Sequence, residues 1–289
     1  MLNKFSKTFI LATVVATLST GCRYSKEYQK LTEAGNKYTS AVDKLLIKAS
    51  ELQIDASSEK LLLNDRSSNQ TLKNYQDSNR MDREMLATIS DIREHNQLLQ
   101  DYFTKLKELA HSDAPEQTKI EIDGITSNLQ KIGSKLQANS SSPRLSLFGN
   151  IGKLIVHSKI DGVLKEELEK RNPTILKELT IQQEILKSLG ESMKYRIELI
   201  QQAREQRLVI RPLIEEQPIA DELVPQWIQE RKQIFLIDKH VREIEQASYA
   251  LEDFKDIYKA SVEGKINSER LNNSLRDIDS FLALLENNQ

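Results

Sequence analysis

From Tyr24 onward the chain puts a small or apolar residue at alternating steps of four and three: Tyr24, Tyr28, Leu31, Gly35, Tyr38, Val42, Leu45, Ala49, Leu52 and Ala56. Seven residues make about two helical turns, so this spacing gathers one face onto a single long helix and leaves the other polar. A seam sustained over this many heptads has to be covered along its length by other helices lying nearly parallel to it. The run stops at Asn64-Asp65-Arg66-Ser67-Ser68-Asn69, a polar stretch that reads as a loop.

The same period returns further along. A second helix is predicted over roughly Thr71–Ala110, with Met85, Ile89, Ile92, Asn96, Leu99, Phe103, Leu106 and Ala110 facing inward. Asn96 is the one polar member of that seam, and a lone Asn in such a position sets register or partner choice. His111-Ser112-Asp113-Ala114-Pro115 separates it from a third helix, with Asp113 as N-cap, Pro115 in the first turn, and Ile122, Ile125, Leu129, Ile132 and Leu136 inside. Asn139-Ser140-Ser141-Ser142-Pro143 reads as a linker, and Leu145–Leu164 as a short, poorly regular helix.

Asn172-Pro173 is expected to open another long helix on Ile175, Leu179, Leu186, Leu189, Met193, Ile197 and Ile200, ending near Arg211-Pro212. Pro212, Pro218 and Pro225 mark a connector. A last long helix from about Trp227 to Val262 carries Ile234, Ile237, Val241, Ile244, Leu251 and Tyr258, and Gly264 stops it. Leu271, Leu275, Ile278, Leu282 and Leu285 form a closing short helix.

No segment alternates with period two. The reading is therefore all-α: an elongated antiparallel bundle with coiled-coil-like packing, long helices joined by short polar loops. Its parts are an N-terminal segment 1–21, a helical half 22–138, a linker 139–149 and a second half 150–289. Hydrophobic content of 38%, charged content of 29%, and only 9 Gly and 6 Pro agree with a helix-rich body. Lys and Arg number 41 against 43 Asp and Glu, with no basic block, which argues against a nucleic-acid partner.

The first 22 residues have a different character. Lys4 and Lys7 precede an apolar run from Phe9 to Leu18, about half the roughly 20 residues a spanning helix needs. Leu18-Ser19-Thr20-Gly21-Cys22 follows, and Cys22 is the only cysteine. This stretch resembles the signal peptide and lipobox of bacterial lipoproteins, with Ser19 standing where that pattern usually has Leu, Val or Ile. The resemblance implies cleavage between Gly21 and Cys22, a diacylglyceryl group on the Cys22 thiol and acylation, for example with palmitate, of the new amine. It also implies a lipid anchor in the cell envelope. Because Arg23 rather than Asp follows the cysteine, it implies an outer membrane, periplasm-facing location in a Gram-negative source. Loss of residues 1–21 removes Lys4 and Lys7 and leaves the body mildly acidic, and no cysteine remains for a disulfide. Tyr24 and Tyr28, next to the anchor, are placed either to rest at the headgroup level or to pack in the seam with their hydroxyls reaching solvent.

Candidate chemistry is sparse. His95, His111, His157 and His240 are scattered without metal-ligand spacing. His111-Ser112-Asp113 has the residue types of a triad but lies in one turn, so it reads as helix-end chemistry. Gly149-Asn150-Ile151-Gly152-Lys153-Leu154 fails as a phosphate loop, because Leu147 and Leu154 stand at the first glycine and hydroxyl positions. Glu166, Glu167 and Glu169 with Lys165, Lys170 and Arg171 read as a solvated face, as does Glu215-Glu216. No catalytic, cofactor-binding or metal-binding residue is assigned.

The expectation is a non-enzymatic, membrane-anchored envelope scaffold or adaptor with protein partners. The alternatives are a ligand-binding or chaperone-like bundle, with core gaps at Gly35, Gly133 and Gly190, and a membrane-active protein using Leu145–Val156.

Overall fold

The computed structural model describes the backbone of residues 5–65, 70–109, 114–140, 163–215, 217–263 and 268–286. Side chains are described from 29 onward within those ranges, except 139–140, 163–169, 237–252, 268, 274, 281–282 and 284–286. Among the described residues every element is helical and there is no strand. The helices are α1 (Phe5–Leu63), α2 (Leu72–Leu109), α3 (Pro115–Ser140), α4 (Val163–Arg204), α5 (Arg211–Ile214), α6 (Val224–Val262) and α7 (Ser268–Glu286). A π-helical turn, Glu205–Ile210, joins α4 to α5, and a 3₁₀ turn, Asp221–Leu223, leads into α6.

The heptad seam of α1 is the core-facing side. Leu31, Gly35, Tyr38, Val42, Leu45, Ala49, Leu52 and Ala56 are all buried, and Ala34, Ala41 and Leu46 widen the stripe. The α2 seam is buried from Ile89 to Leu106, with Met85 half-buried at its edge. Thr71 caps α2, its Oγ1 accepting from the Asn74 amide at 3.3 Å. Pro115 opens α3 at the position that needs no amide donor. Buried residues from α1, α2, α3, α4, α6 and α7 merge into one apolar cluster.

Paired side chains give the helix directions. Asp43–Arg93 (2.7 Å) and Gln53–Asp82 (2.7 Å) run oppositely in number, so α1 and α2 are antiparallel. Lys105–Glu121 and Lys135–Asp91 make α2 and α3 antiparallel, and Trp227–Val209 with Gln201–Ile234 do the same for α4 and α6. Three adjacencies are parallel. Gln53–Arg196 and Glu59–Arg204 ascend together along α1 and α4, and Lys30–Asn272 and Lys37–Asp279 along α1 and α7. The α3–α4 pair also ascends together, through Thr126–Arg171 and Gln130–Thr174. The chain thus leaves α3 at one end of the bundle and enters α4 at the other.

Three predicted boundaries shift. The long helix after the linker does not open at Asn172-Pro173: α4 starts at Val163 and Pro173 lies inside it. Bonds to α3 flank the proline, Arg171 to Asp123 and Thr126 before it and Gln130 to Thr174 after it, and Ile175 and Leu176 beyond it are buried. Packing therefore offsets the roughly 3 kcal/mol that an internal proline costs. Nor does the helical path end at Arg211-Pro212. The π turn, closed by the Arg211 amide on the Gln206 carbonyl, shifts the register one residue before Pro212, which then sits in the first turn of α5. At the next element α6 starts at Val224, three residues ahead of Trp227, and Pro225 belongs to its first turn.

Asn139 and Ser140 complete α3, whereas the rest of the predicted linker, the irregular segment up to 162 and Gly264 lie outside the described residues.

Candidate functional site

α1 is continuous through Gly21 and Cys22, so one helix links the predicted lipid-bearing position to Leu63, about 60 Å along the axis. The Cys22, Tyr24 and Tyr28 side chains lie outside the described residues, as do His111-Ser112-Asp113, the glycine stretch at 149–154 and Leu145–Val156. Lys170 and Arg171 both turn to Asp123 of α3, Lys170 at 3.7 Å.

At mid-bundle the structure builds a polar layer. Asn96 Nδ2 donates to the Thr39 carbonyl of α1 at 2.7 Å, and Gln182 Nε2 of α4 donates to Asn96 Oδ1 at 2.8 Å. The preceding residue, His95, is hydrogen-bonded through Nε2 to Glu178 Oε2 at 3.0 Å, both side chains fully buried. A Cβ at Gly133 of α3 would lie 1.9 Å from that same oxygen, so glycine there admits the carboxyl group. Four helices meet in these contacts. Sliding α2 one turn along α4 would separate His95 from Glu178 and Asn96 from Gln182 together. Among the described residues His95 Nδ1, Glu178 Oε1 and Gln182 Oε1 have no hydrogen-bond partner.

Next to it lies an aromatic layer. Tyr38 stacks on Phe254 of α6 at 4.3 Å, and Phe103 meets Phe254 and Tyr258 edge-on at 5.7 and 6.0 Å. Burial raises the hydroxyl pKa of both Tyr38 and Tyr258. Gly35 is where the Phe103 ring enters, with ring carbons 2.4–2.6 Å from a built Cβ. Gly35 and Gly133 are thus occupied by neighbouring side chains and leave no gap. A gap that does exist between α1, α2 and α4, beside Ala49, Ile89 and Met193, measures about 10 Å³, room for a single water.

Histidine and carboxylate together raise the question of a metal or proton-transfer site. Among the described residues no group of three His, Cys, Asp or Glu side chains could hold a metal ion. The His95–Glu178 pair is fully buried, so a substrate has no access to it and its contacts serve helix register. Sequence reasoning found Asn96 but missed Glu178, Gln182 and His95 as its companions. The available signal was the spacing of four between Glu178 and Gln182 on a helix whose apolar residues occur on nearly every side.

The exposed feature is the end of the bundle remote from Cys22. There α1 ends, α2 and α6 begin, and the π turn packs against α1 and α6 on its way into α5. Glu59, nearly buried, receives Arg204 at 2.9 Å and Arg207 at 2.8 Å, and Arg211 reaches Asp65 and the Leu63 carbonyl. The indole of Trp227, the only tryptophan, donates to the Val209 carbonyl in the π turn at 3.1 Å and ties α6 to it. On this braced end Leu213 (57%), Ile214 (75%), Leu223 (52%) and Leu72 (70%) are exposed, with Leu62, Tyr75 and Ile228 nearby in the same elements.

Among the described residues no helix is long and apolar enough to cross a membrane. Comparison of the chain with protein-family models, with curated proteins and with solved structures finds no match.

Proposed function

We propose that this protein is a membrane-anchored, non-enzymatic envelope lipoprotein that acts as a helical scaffold or adaptor, held through acylated Cys22 and presenting its remote end to protein partners. The observation that carries the reading is the apolar tip. Large side chains stand in solvent about 60 Å of helix away from Cys22, on a segment braced by Trp227 and the Glu59–arginine cluster. Continuity of α1 through Cys22 supports a stiff connection between anchor and tip. The filled spaces at Gly35 and Gly133 favour a scaffold over a bundle that holds a ligand in its core.

The test is Cys22→Ser expressed in the native host. The wild-type chain is expected in the membrane fraction and to take up a labelled fatty acid, and the variant is expected to do neither. Full recovery of the variant in the membrane fraction would overturn the anchored reading.

A further inference from the structure

We infer that the tip docks a cationic, apolar segment of a partner protein, one whose apolar face is flanked by Lys and Arg. This deepens the scaffold reading and takes its cellular setting from it, but its chemistry comes from the tip alone.

Leu213, Ile214, Leu223 and Ile228 are exposed on α5, the 3₁₀ turn and the start of α6. The same stretch is acidic. From Pro212 to Glu230 the chain contains Glu215, Glu216, Asp221, Glu222 and Glu230 and no Lys or Arg. Glu215, Asp221 and Glu222 are exposed beside the apolar residues. The basic residue just ahead of the stretch, Arg211, is turned inward onto Asp65 and the Leu63 carbonyl, while Lys60 and Lys73 belong to the α1–α2 side of the tip. Just after the stretch Arg231 lies over the Phe235 ring at 5.0 Å and Lys232 is exposed, both further along α6. The dipole of α6 accounts for acids ahead of its first turn. It does not account for leucine and isoleucine left in water next to them.

An apolar centre with an acidic rim selects its occupant by charge. A second copy meeting this patch through a two-fold axis would set acid against acid. An anionic headgroup surface would be repelled in the same way. A segment with an apolar stripe and basic flanks satisfies both parts, as in helix-in-groove recognition. The two ends of the connector are fixed, since Trp227 ties α6 to the π turn and Pro212 and Pro225 lie in helix first turns, which lowers the ordering cost of binding.

The experiment uses the full chain in detergent and two fluorescent amphipathic peptides with the same leucine face, one with a lysine polar face and one with glutamate. Anisotropy should show the lysine peptide binding at least about tenfold more tightly, with the difference shrinking at high salt. Ile214→Asp with Leu223→Asp should lose that binding while helix content by circular dichroism is unchanged. Asp221→Lys with Glu222→Lys should move the preference toward the glutamate peptide. A photo-cross-linker at Leu213, which needs no destabilising change, should label the lysine peptide. Equal binding of the two peptides, undiminished binding by the aspartate variant, or self-association or anionic-vesicle binding that the aspartate variant removes would each overturn the proposal. Cys22→Ser moves the protein between fractions without touching this surface, so failure of the anchor and failure of the tip are read separately.

Discussion

The waist and the tip of this bundle use the same kinds of side chain to opposite ends. At the waist Tyr38, Phe103, Phe254 and Tyr258 are enclosed; at the tip Leu72, Leu213, Ile214 and Leu223 stand in water. The difference is the number of helices at each level. The α2–α3 pairings place the end of α3 opposite about residue 86 of α2, and the α1–α7 pairings place the end of α7 opposite about residue 44 of α1. Beyond those points α1, α2, α4 with α5, and α6 continue without cover from α3 or α7. Tyr75 and Met81 of α2 are exposed for this reason, and Ile47 and Ile54 of α1 are partly so. Exposure at the tip thus follows from helix length rather than from a change in composition.

The waist should be costly to disturb and the tip cheap. Glu178→Ala leaves the His95 ring buried without its hydrogen-bond partner and should lower stability by about 1–3 kcal/mol, measured by urea denaturation. A loss below 1 kcal/mol would mean that the layer is not part of the packed core.

The waist also carries a pH signature. Burial raises the pKa of Tyr38 and Tyr258, so the folded chain keeps these two protons where an unfolded tyrosine, near 10, gives them up. The unfolded state then binds fewer protons. Stability should be intact below pH 10 and fall above it, by about 1.4 kcal/mol per pH unit for each tyrosine. Absorbance should show phenolate from these two residues appearing together with unfolding. Their ionisation in the folded chain would show that water reaches the aromatic layer.

Gly133→Ala sharpens the contrast further. At an open helical site this change gains up to about 1 kcal/mol. Against the Glu178 carboxyl it should instead destabilise by about 1–3 kcal/mol, seen as a lower Tm. Smallest of all, Leu213→Ser at the tip should change stability by no more than about 0.5 kcal/mol, since that residue is mostly exposed. A large loss there would mean that the tip packs in solution.

Much of the fold was legible because helical periodicity is a local signal. Every described member of the α1 seam is buried, and so are Ile175, Leu179, Leu186, Leu189, Met193, Ile197 and Ile200 of α4. The Asn96 register reading gains two concrete partners, the Thr39 carbonyl and Gln182. Those partners were not legible, because Gln182 is 86 residues away and its spacing of four from Glu178 marks a polar pair without naming Asn96 as its contact. Pro173 was misread on the same ground, since local rules treat an asparagine–proline pair as a helix start and only contacts with α3 make it an interior position. The tip was misread as punctuation. Pro212, Pro218 and Pro225 do mark the turn, but its apolar surface depends on how far α3 and α7 reach.

The order of residues alone therefore determined that this chain is helical, which face of each long helix turns inward, and that its one cysteine follows an apolar run from Phe9 to Leu18. Repeats of four and three are set by the geometry of a single helix and need no neighbour to be read. Which helices run in parallel, which buried carboxyl meets which histidine, and which leucines stay in water were decided only when six helices of unequal length packed together. Those contacts join residues far apart in the chain, and they depend on where each helix ends.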